Sequence, residues 1–421
     1  MSLFQRLVRR VPSIGTPSAS LALDVGTEYA KALIFESADD GTTHVIGVGR
    51  QRQGLSHMQS GTVADIKAVV ENCRVALLEA EAMSQRRCDK VVVGIAGELV
   101  KGFTTTRRLQ RRKPEAALTH SEVERLLEDL EHDAAAEAQR TITWETGLAN
   151  VDVRLVHAGV ATAAIDGYAV TNPVGFQGRH LRVSVFNAYA PLVHLGALES
   201  VVDQLGLRLI KVVAEPYAVA RSIAGEQIGQ SGALFIDIGG GTTDVALVRN
   251  GSVEGTRMFA LGGRAFTKSV ADRLDISFDE AEALKIRHAK GQESDHEEEV
   301  VEIIGEDVAV WAAGVELVLE EFGKEGLLPG RIELCGGGAA LPEIRAALDS
   351  ERFGTDLPFA RRPLVSMMEP SSVGRLVDRT GLLVDQQDVT PMALACEALE
   401  AALPQEPLDA SLQRVLRGMR V

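Results

Sequence analysis

The chain has 421 residues, of which 45% are hydrophobic, 4% are aromatic and 40 are glycine, a mix that suits an α/β protein of about two to four domains with many tight turns better than an all-β one. A net charge of −15 argues against wholesale nucleic-acid binding, which needs a basic footprint. Cys73, Cys88, Cys335 and Cys396 are scattered and the histidines lack ligand spacing, which argues against a disulfide framework or zinc site; no apolar run spans a bilayer, and arginines interrupt the N-terminal apolar residues where a signal peptide would be unbroken.

Residues 1–18 carry an apolar stripe of Leu3, Phe4, Leu7, Val8 and Val11 beside Arg6, Arg9 and Arg10. Residues 21–35, LALDVGTEYAKALIF, predict a strand, a tight turn and a returning strand. Residues 66–82 have helical spacing and KVVVG at 90–94 predicts a buried strand. The basic run from Arg107 to Lys113 is expected to be a solvated loop, the alternative being a membrane or partner contact. Thr119 with Glu122 predicts a capping box that opens a helix over 119–138. Strands are expected over 152–164 and 180–189 around the turn-rich TNPVGFQG, then a helix over 192–205.

ALFIDIGGGTTDVALV at 233–248 repeats the pattern of the first hairpin. Two such hairpins predict two related halves facing each other. Helices follow over 277–288 and 300–322, with the acidic run 293–302 as an exposed helix start, then a short strand at 332–334 and a helix from 341 with Pro342 in its first turn. Residues 356–388 show no readable period. Pro404 and Pro407 suggest a linker before a last helix, whose stripe of Leu408, Leu412, Val415, Leu416 and Met419 is flanked by Arg414, Arg417 and Arg420. Such a helix fits the surface of an anionic membrane, or else docks on the protein's own core.

The Gly-rich turns carry the chemistry. A nucleotide triphosphate needs backbone amides against its oxygens and a cation against its charge, and glycine lets the main chain come close. Asp24, Gly26 and Thr27 form one such turn; Asp237, Gly239, Gly240, Gly241, Thr242 and Thr243 form the other. Each sets an aspartate at a strand end, where it can face hydrated Mg²⁺, an ion that keeps its waters and takes few protein carboxylates. Gly336, Gly337 and Gly338 make a third turn, between strand and helix, where a flat base or ribose can lie on backbone.

In order and spacing these segments resemble the phosphate 1, phosphate 2 and adenosine motifs of the actin-like ATPase superfamily, and EPYAVA at 215–220 resembles its first connecting helix. The resemblance implies two ribonuclease-H-like halves around a nucleotide cleft, ATP with Mg²⁺ bound through Asp24 and Asp237, and Glu215 orienting an attacking water. LGGRAFTKSVADRLDISFDEAEALK and the segment 94–189 resemble the FtsA family with its inserted subdomain, which makes Glu282 and Lys285 the adenosine-contacting pair. Cys335 stands where that family usually has threonine, and the last connecting helix lacks the expected glycine.

The expected division is a basic segment 1–18, a first half 19–96 with 186–228, an FtsA-type insert 97–185, a second half 229–403, and a linker with amphipathic helix 404–421. By resemblance the function is that of an ATP-binding protein that self-assembles on the inner face of the cytoplasmic membrane, held by its C-terminal and N-terminal helices. There it would tether the division protein FtsZ by its C-terminal tail. ATP then acts mainly as a conformational ligand, with slow hydrolysis. The alternative is an ATP-binding pilus or secretion adaptor similar to PilM.

Overall fold

The computed structural model describes residues 19–37, 42–148, 151–223, 228, 231–324, 326–402 and 406–419; the expected N-terminal amphipathic segment lies outside them. The first Gly turn folds β1 (Ser20–Val25) onto β2 (Tyr29–Ser37) as an antiparallel hairpin with Asp24 opposite Lys31, and β3 (Thr43–Arg52) adds beside β2. A small hairpin, β4 (Met58–Gln59) and β5 (Thr62–Val63), leads to α1 (Ile66–Ser84), capped by Asp65, whose carboxylate accepts the Ala68 N–H. Apolar residues of α1 at helical spacing, among them Val69, Val70, Cys73 and Leu77, are buried. A Cβ on Gly49 of β3 would stand 1.9 Å from the Ala76 carbonyl oxygen, so glycine there is what lets α1 lie directly on the strand. β6 (Lys90–Ile95) then runs parallel to β1.

The insert follows as β7 (Lys101–Gln110), α2 (His120–Thr146), β8 (Val153–Ile165), β9 (Tyr168–Ala169) and β10 (His180–Pro191), with β10 paired between β7 and β8. The Thr119–Glu122 capping box is present, and α2 runs on to Thr146. α3 (Leu192–Leu205), β11 (Arg208–Ala214) parallel to β6, and α4 (Glu215–Ile223) complete the first half.

The second half repeats the plan. β12 (Ala233–Ile238), β13 (Thr243–Arg249) and β14 (Ser252–Phe259) form an antiparallel meander, followed by α5 (Gly263–Leu274), α6 (Phe278–Ala289) and α7 (Glu297–Gly323). β15 (Arg331–Cys335) lies parallel to β12, α8 (Pro342–Asp349) starts on Pro342, and β16 (Leu364–Met367) lies parallel to β15. Then come β17 (Leu376–Asp378), α9 (Val389–Ala402) and α10 (Pro407–Met419).

Among the described residues the two large sheets run β11-β6-β1-β2-β3-β17 and β16-β15-β12-β13-β14-β7-β10-β8-β9. Each contains a three-stranded antiparallel meander whose first strand continues into two parallel strands. The sequence repeat is therefore a repeat of topology; one apolar core lies within the second half, and the other fills the first half and takes in Phe235, Ala246 and Val248 of the second half's sheet.

Four expectations need correction or completion. Residues 373–402 join the first half rather than the second, while still touching the second at the cavity: β17 pairs with β3, and Val373, Leu383, Val389 and Leu394 share the first core with Leu21 and Val93. The insert's sheet is continuous with the second half, through Gly102 and Phe103 of β7 opposite Thr256 and Gly255 of β14. The basic run is a loop only in part, for Arg107 and Arg108 lie on β7 while Arg112 and Lys113 follow it, exposed. The Arg111 side chain is buried, pairs with Glu122 at 3.2 Å and donates to the carbonyls of Ala116 and Gly178. Finally, of the two readings of the last helix the structure shows the docked one. Leu408, Leu412, Val415 and Leu416 are buried in one cluster with Val123, Leu126 and Leu127 of α2 and Ala158 of β8.

Candidate functional site

The three Gly-rich turns meet at a cavity of about 400 Å³ between the halves. Asp24, Gly26 and Thr27 reach it from the β1–β2 turn, and Asp237, Gly239, Gly240 and Thr242 from the β12–β13 turn. The turns touch: a Cβ on Gly241 would lie 2.7 Å from Thr27 Oγ1, and one on Gly240 2.9 Å from Glu28 Cβ. Within the second turn the Gly239 N–H donates to the Thr242 carbonyl at 2.9 Å. The Gly263 and Arg264 N–H groups, at the start of α5, donate to the carbonyls of Gly239 and Gly240 at 2.9 and 2.8 Å.

Gly336, Gly337 and Gly338 line the cavity opposite α6. Gly336 has φ +84°, and a Cβ there would fall 2.1 Å from Asp237 Oδ1, so only glycine fits the turn. Gly337 has open space beside it. Ile286 and Ala289 of α6, with Leu341, give this end of the cavity apolar walls. Glu282 and Lys285 sit here as an ion pair of 2.8 Å, and Lys285 also donates to the Gly263 carbonyl at 2.9 Å and Thr267 Oγ1 at 2.7 Å. The arrangement suits a flat, polar-edged ring at one end and an anionic chain at the other.

The carboxylates gather at the anionic end. Asp24, Asp237 and Glu215 all line the cavity and are nearly buried. Lys31 Nζ lies 3.3 Å from Asp24 Oδ2 and donates to the Gln387 carbonyl at 2.8 Å. Asp237 accepts from the Thr390 hydroxyl. Burial pushes the Asp237 carboxyl above its ordinary range. Glu215 begins α4; burial first, then the charges of Asp24, Asp244 and Asp237, push it well up. Asp244 is pushed up by burial and by Asp237, and its Oδ1 is buried without a hydrogen-bond partner among the described residues. No cluster of acidic, histidine or cysteine side chains among the described residues could by itself hold a metal ion.

Two expected residues do not face the cavity. Gly241 turns toward Thr27, and Thr243 is fully buried, donating to the Leu261 carbonyl at 2.7 Å and accepting the Trp311 indole N–H at 2.9 Å. Strand side chains alternate, so Thr242 and Asp244 share the cavity face and Thr243 takes the other. Sequence reasoning missed Asp244, Lys31, Arg264 and the stretch Asp385–Gln387 with Thr390, all of which line the cavity. Alternation along TTDVALV signals Asp244. No local pattern signals the others, which arrive from distant parts of the chain.

The family model described as "Cell division protein FtsA" matches residues 234–377. The FtsA of Neisseria meningitidis serogroup B is 26% identical over 415 residues, covering 93% of each chain, and that of Bacillus subtilis is 28% identical over 346 residues, covering 77% of this chain and 74% of that one. The chain is thus similar over most of its length to FtsA cell-division proteins. Its fold is shared with a chain of the solved PilM–PilN type IV pilus biogenesis complex, with a TM-score of 0.64 at 17% identity over 92% of this chain and 100% of that one. This FtsA relative also has no helix, among its described residues, long and apolar enough to cross a membrane.

Proposed function

We propose that the chain binds ATP with magnesium in the cleft and works as an assembling adaptor in cell division, at the inner face of the cytoplasmic membrane, where it tethers FtsZ through its C-terminal tail. The observation that carries this reading is the meeting of three Gly turns from two like halves around one carboxylate-lined cavity, in a chain whose relatives are FtsA proteins over most of its length. The turns containing Gly26 and Gly239–Gly240 bring backbone close to both sides of a phosphate chain, and Lys31 adds a positive charge beside them. Glu282, Lys285 and the Gly336–Gly338 turn take the nucleoside. Magnesium held through Asp24, Asp237 and water would neutralise phosphate charge.

Glu215 limits the chemistry. Burial and three neighbouring carboxylates push it well above its ordinary range, which suits it to orienting a water rather than deprotonating one. Slow hydrolysis follows, and ATP acts chiefly by joining the halves. Head-to-tail assembly multiplies weak membrane contacts into firm attachment.

The test is pelleting of the purified full chain with anionic vesicles, with and without ATP–magnesium and an FtsZ tail peptide. Vesicle-bound protein should carry the peptide down, and more of it with ATP. A pellet that takes up the tail of a pilus membrane protein and leaves the FtsZ peptide in solution would overturn the division reading in favour of a pilus adaptor.

A further inference from the structure

The C-terminal helix has one apolar face and two claims on it. In the structure that face is spent on the chain itself. Leu408, Leu412, Val415 and Leu416 fill a groove between α2 and β8, and Leu412 is fully buried. Two polar ties fix the helix there. Asp409 accepts the Val160 N–H of β8 at 3.0 Å, and Arg414 pairs with Glu124 of α2 at 2.9 Å. An interfacial helix inserts its apolar face among acyl chains and sets its arginines against anionic headgroups. The same four side chains and the same Arg414 would be needed in both places. One helix cannot occupy both.

We propose that the groove of the insert is an intramolecular receptor for the C-terminal helix, which hides the lipid-binding face until an anionic membrane surface competes for it. This rests on the reading of that helix as a membrane tail. The polar ties support a reversible contact rather than a permanent one. The Arg414 and Glu124 side chains are 49% and 32% exposed, and such half-solvated pairs contribute little. The helix is also joined to α9 only through Leu403-Pro404-Gln405-Glu406, a joint with proline in it. Docked, Arg414 answers a carboxylate; released, it answers a headgroup of the same sign. The groove therefore mimics the electrostatics of the membrane as well as its apolar interior.

The full-length chain with Glu124→Arg tests this, since Glu124 lies on the groove side and the tail is left unchanged. Two readouts are needed: hydrogen exchange of 407–419 without lipid, and sedimentation with phosphatidylcholine vesicles with and without phosphatidylglycerol. Glu124→Arg should speed exchange of the helix and raise binding to the anionic vesicles roughly three- to ten-fold, the range set by losing a surface pair and adding a repulsion. Adding Arg414→Glu should restore slow exchange, because the pair is then reversed. Unchanged exchange and unchanged binding in Glu124→Arg would overturn the switch. Fast exchange without any vesicle binding, or binding that survives Leu412→Asp in the same background, would instead overturn the membrane reading on which it rests.

Discussion

Glu28 holds two guanidinium groups from opposite sides of the cleft. Arg52, on β3 of the first half, pairs with its Oε1 at 2.6 Å, and Arg264, on α5 of the second half, pairs with its Oε2 at 2.7 Å. Arg264 also donates to the Gln53 carbonyl at 3.0 Å, and Arg52 reaches Asp279 at 3.0 Å. With Arg264 and Glu28 only 13% and 17% exposed, this chain of charges is shielded enough to hold the halves together at the cavity rim. Arg264→Met should speed release of a fluorescent ATP analogue about ten-fold, a change of ~1.4 kcal/mol. Glu28→Gln should do the same, and the double variant no more than either alone, since both remove one tie. Stopped-flow release rates decide it; fully additive effects would mean that the residues act separately. The tie also shows where sequence reading stops. Asp24 and Asp237 were legible because turn chemistry is local. Arg264 and Glu28 meet across 236 positions, and nothing near either residue announces the other.

At the level of elements, helices with caps and strands in hairpins were legible, and short edge strands were not. α2 was marked by its capping box, and the two Gly hairpins by their apolar flanks. β16 and β17 have four and three residues. They come from one unreadable stretch and join different sheets, so their conformation is set by partners rather than by period. β7 was hidden because its alternation is written in threonine and arginine rather than in apolar residues. α2 carries a feature no pattern reveals: Glu131 is 1% exposed, facing β10, where the Asn187 amide, oriented with its nitrogen toward the carboxylate, donates to Oε1 and Oε2 at 3.2 and 3.0 Å. Burial outweighs that bond and lifts its pKa from 4.5 to about 7. The folded state thus holds a proton that the unfolded state has lost. The stabilisation by protonation is complete below about pH 4.5 and vanishes as pH rises through 7. Glu131→Gln should therefore stabilise the protein by about 1–3 kcal/mol at pH 8 and leave it unchanged near pH 4, as urea titrations at the two pH values would show. Equal effects at both would place the cause in packing instead of charge.

In the whole molecule the cleft is closed by a segment that returns to it late in the chain. After β16 on the edge of the second sheet, the backbone crosses to place β17 on the edge of the first. It then passes the cavity before entering α9. There the Gln386 carbonyl accepts the Gly336 N–H at 3.0 Å, the Gln387 carbonyl accepts Lys31 at 2.8 Å, Asp388 pairs with Arg50, and Thr390 donates to Asp237. Residues 385–390 thus touch β2 and β3 of one half and the second and third Gly turns of the other. A ligand that joins the halves must load this segment as well as the turns, because its partners move with both. ATP analogue with magnesium should slow hydrogen exchange together in 22–29, 237–243, 334–340 and 385–390. The slowing in 385–390 should be lost in Thr390→Val, which removes the tie to Asp237, while the turns keep theirs. Protection confined to the turns of one half would mean that the ligand sits on a single lobe, and the cleft would then be a groove rather than a clasp.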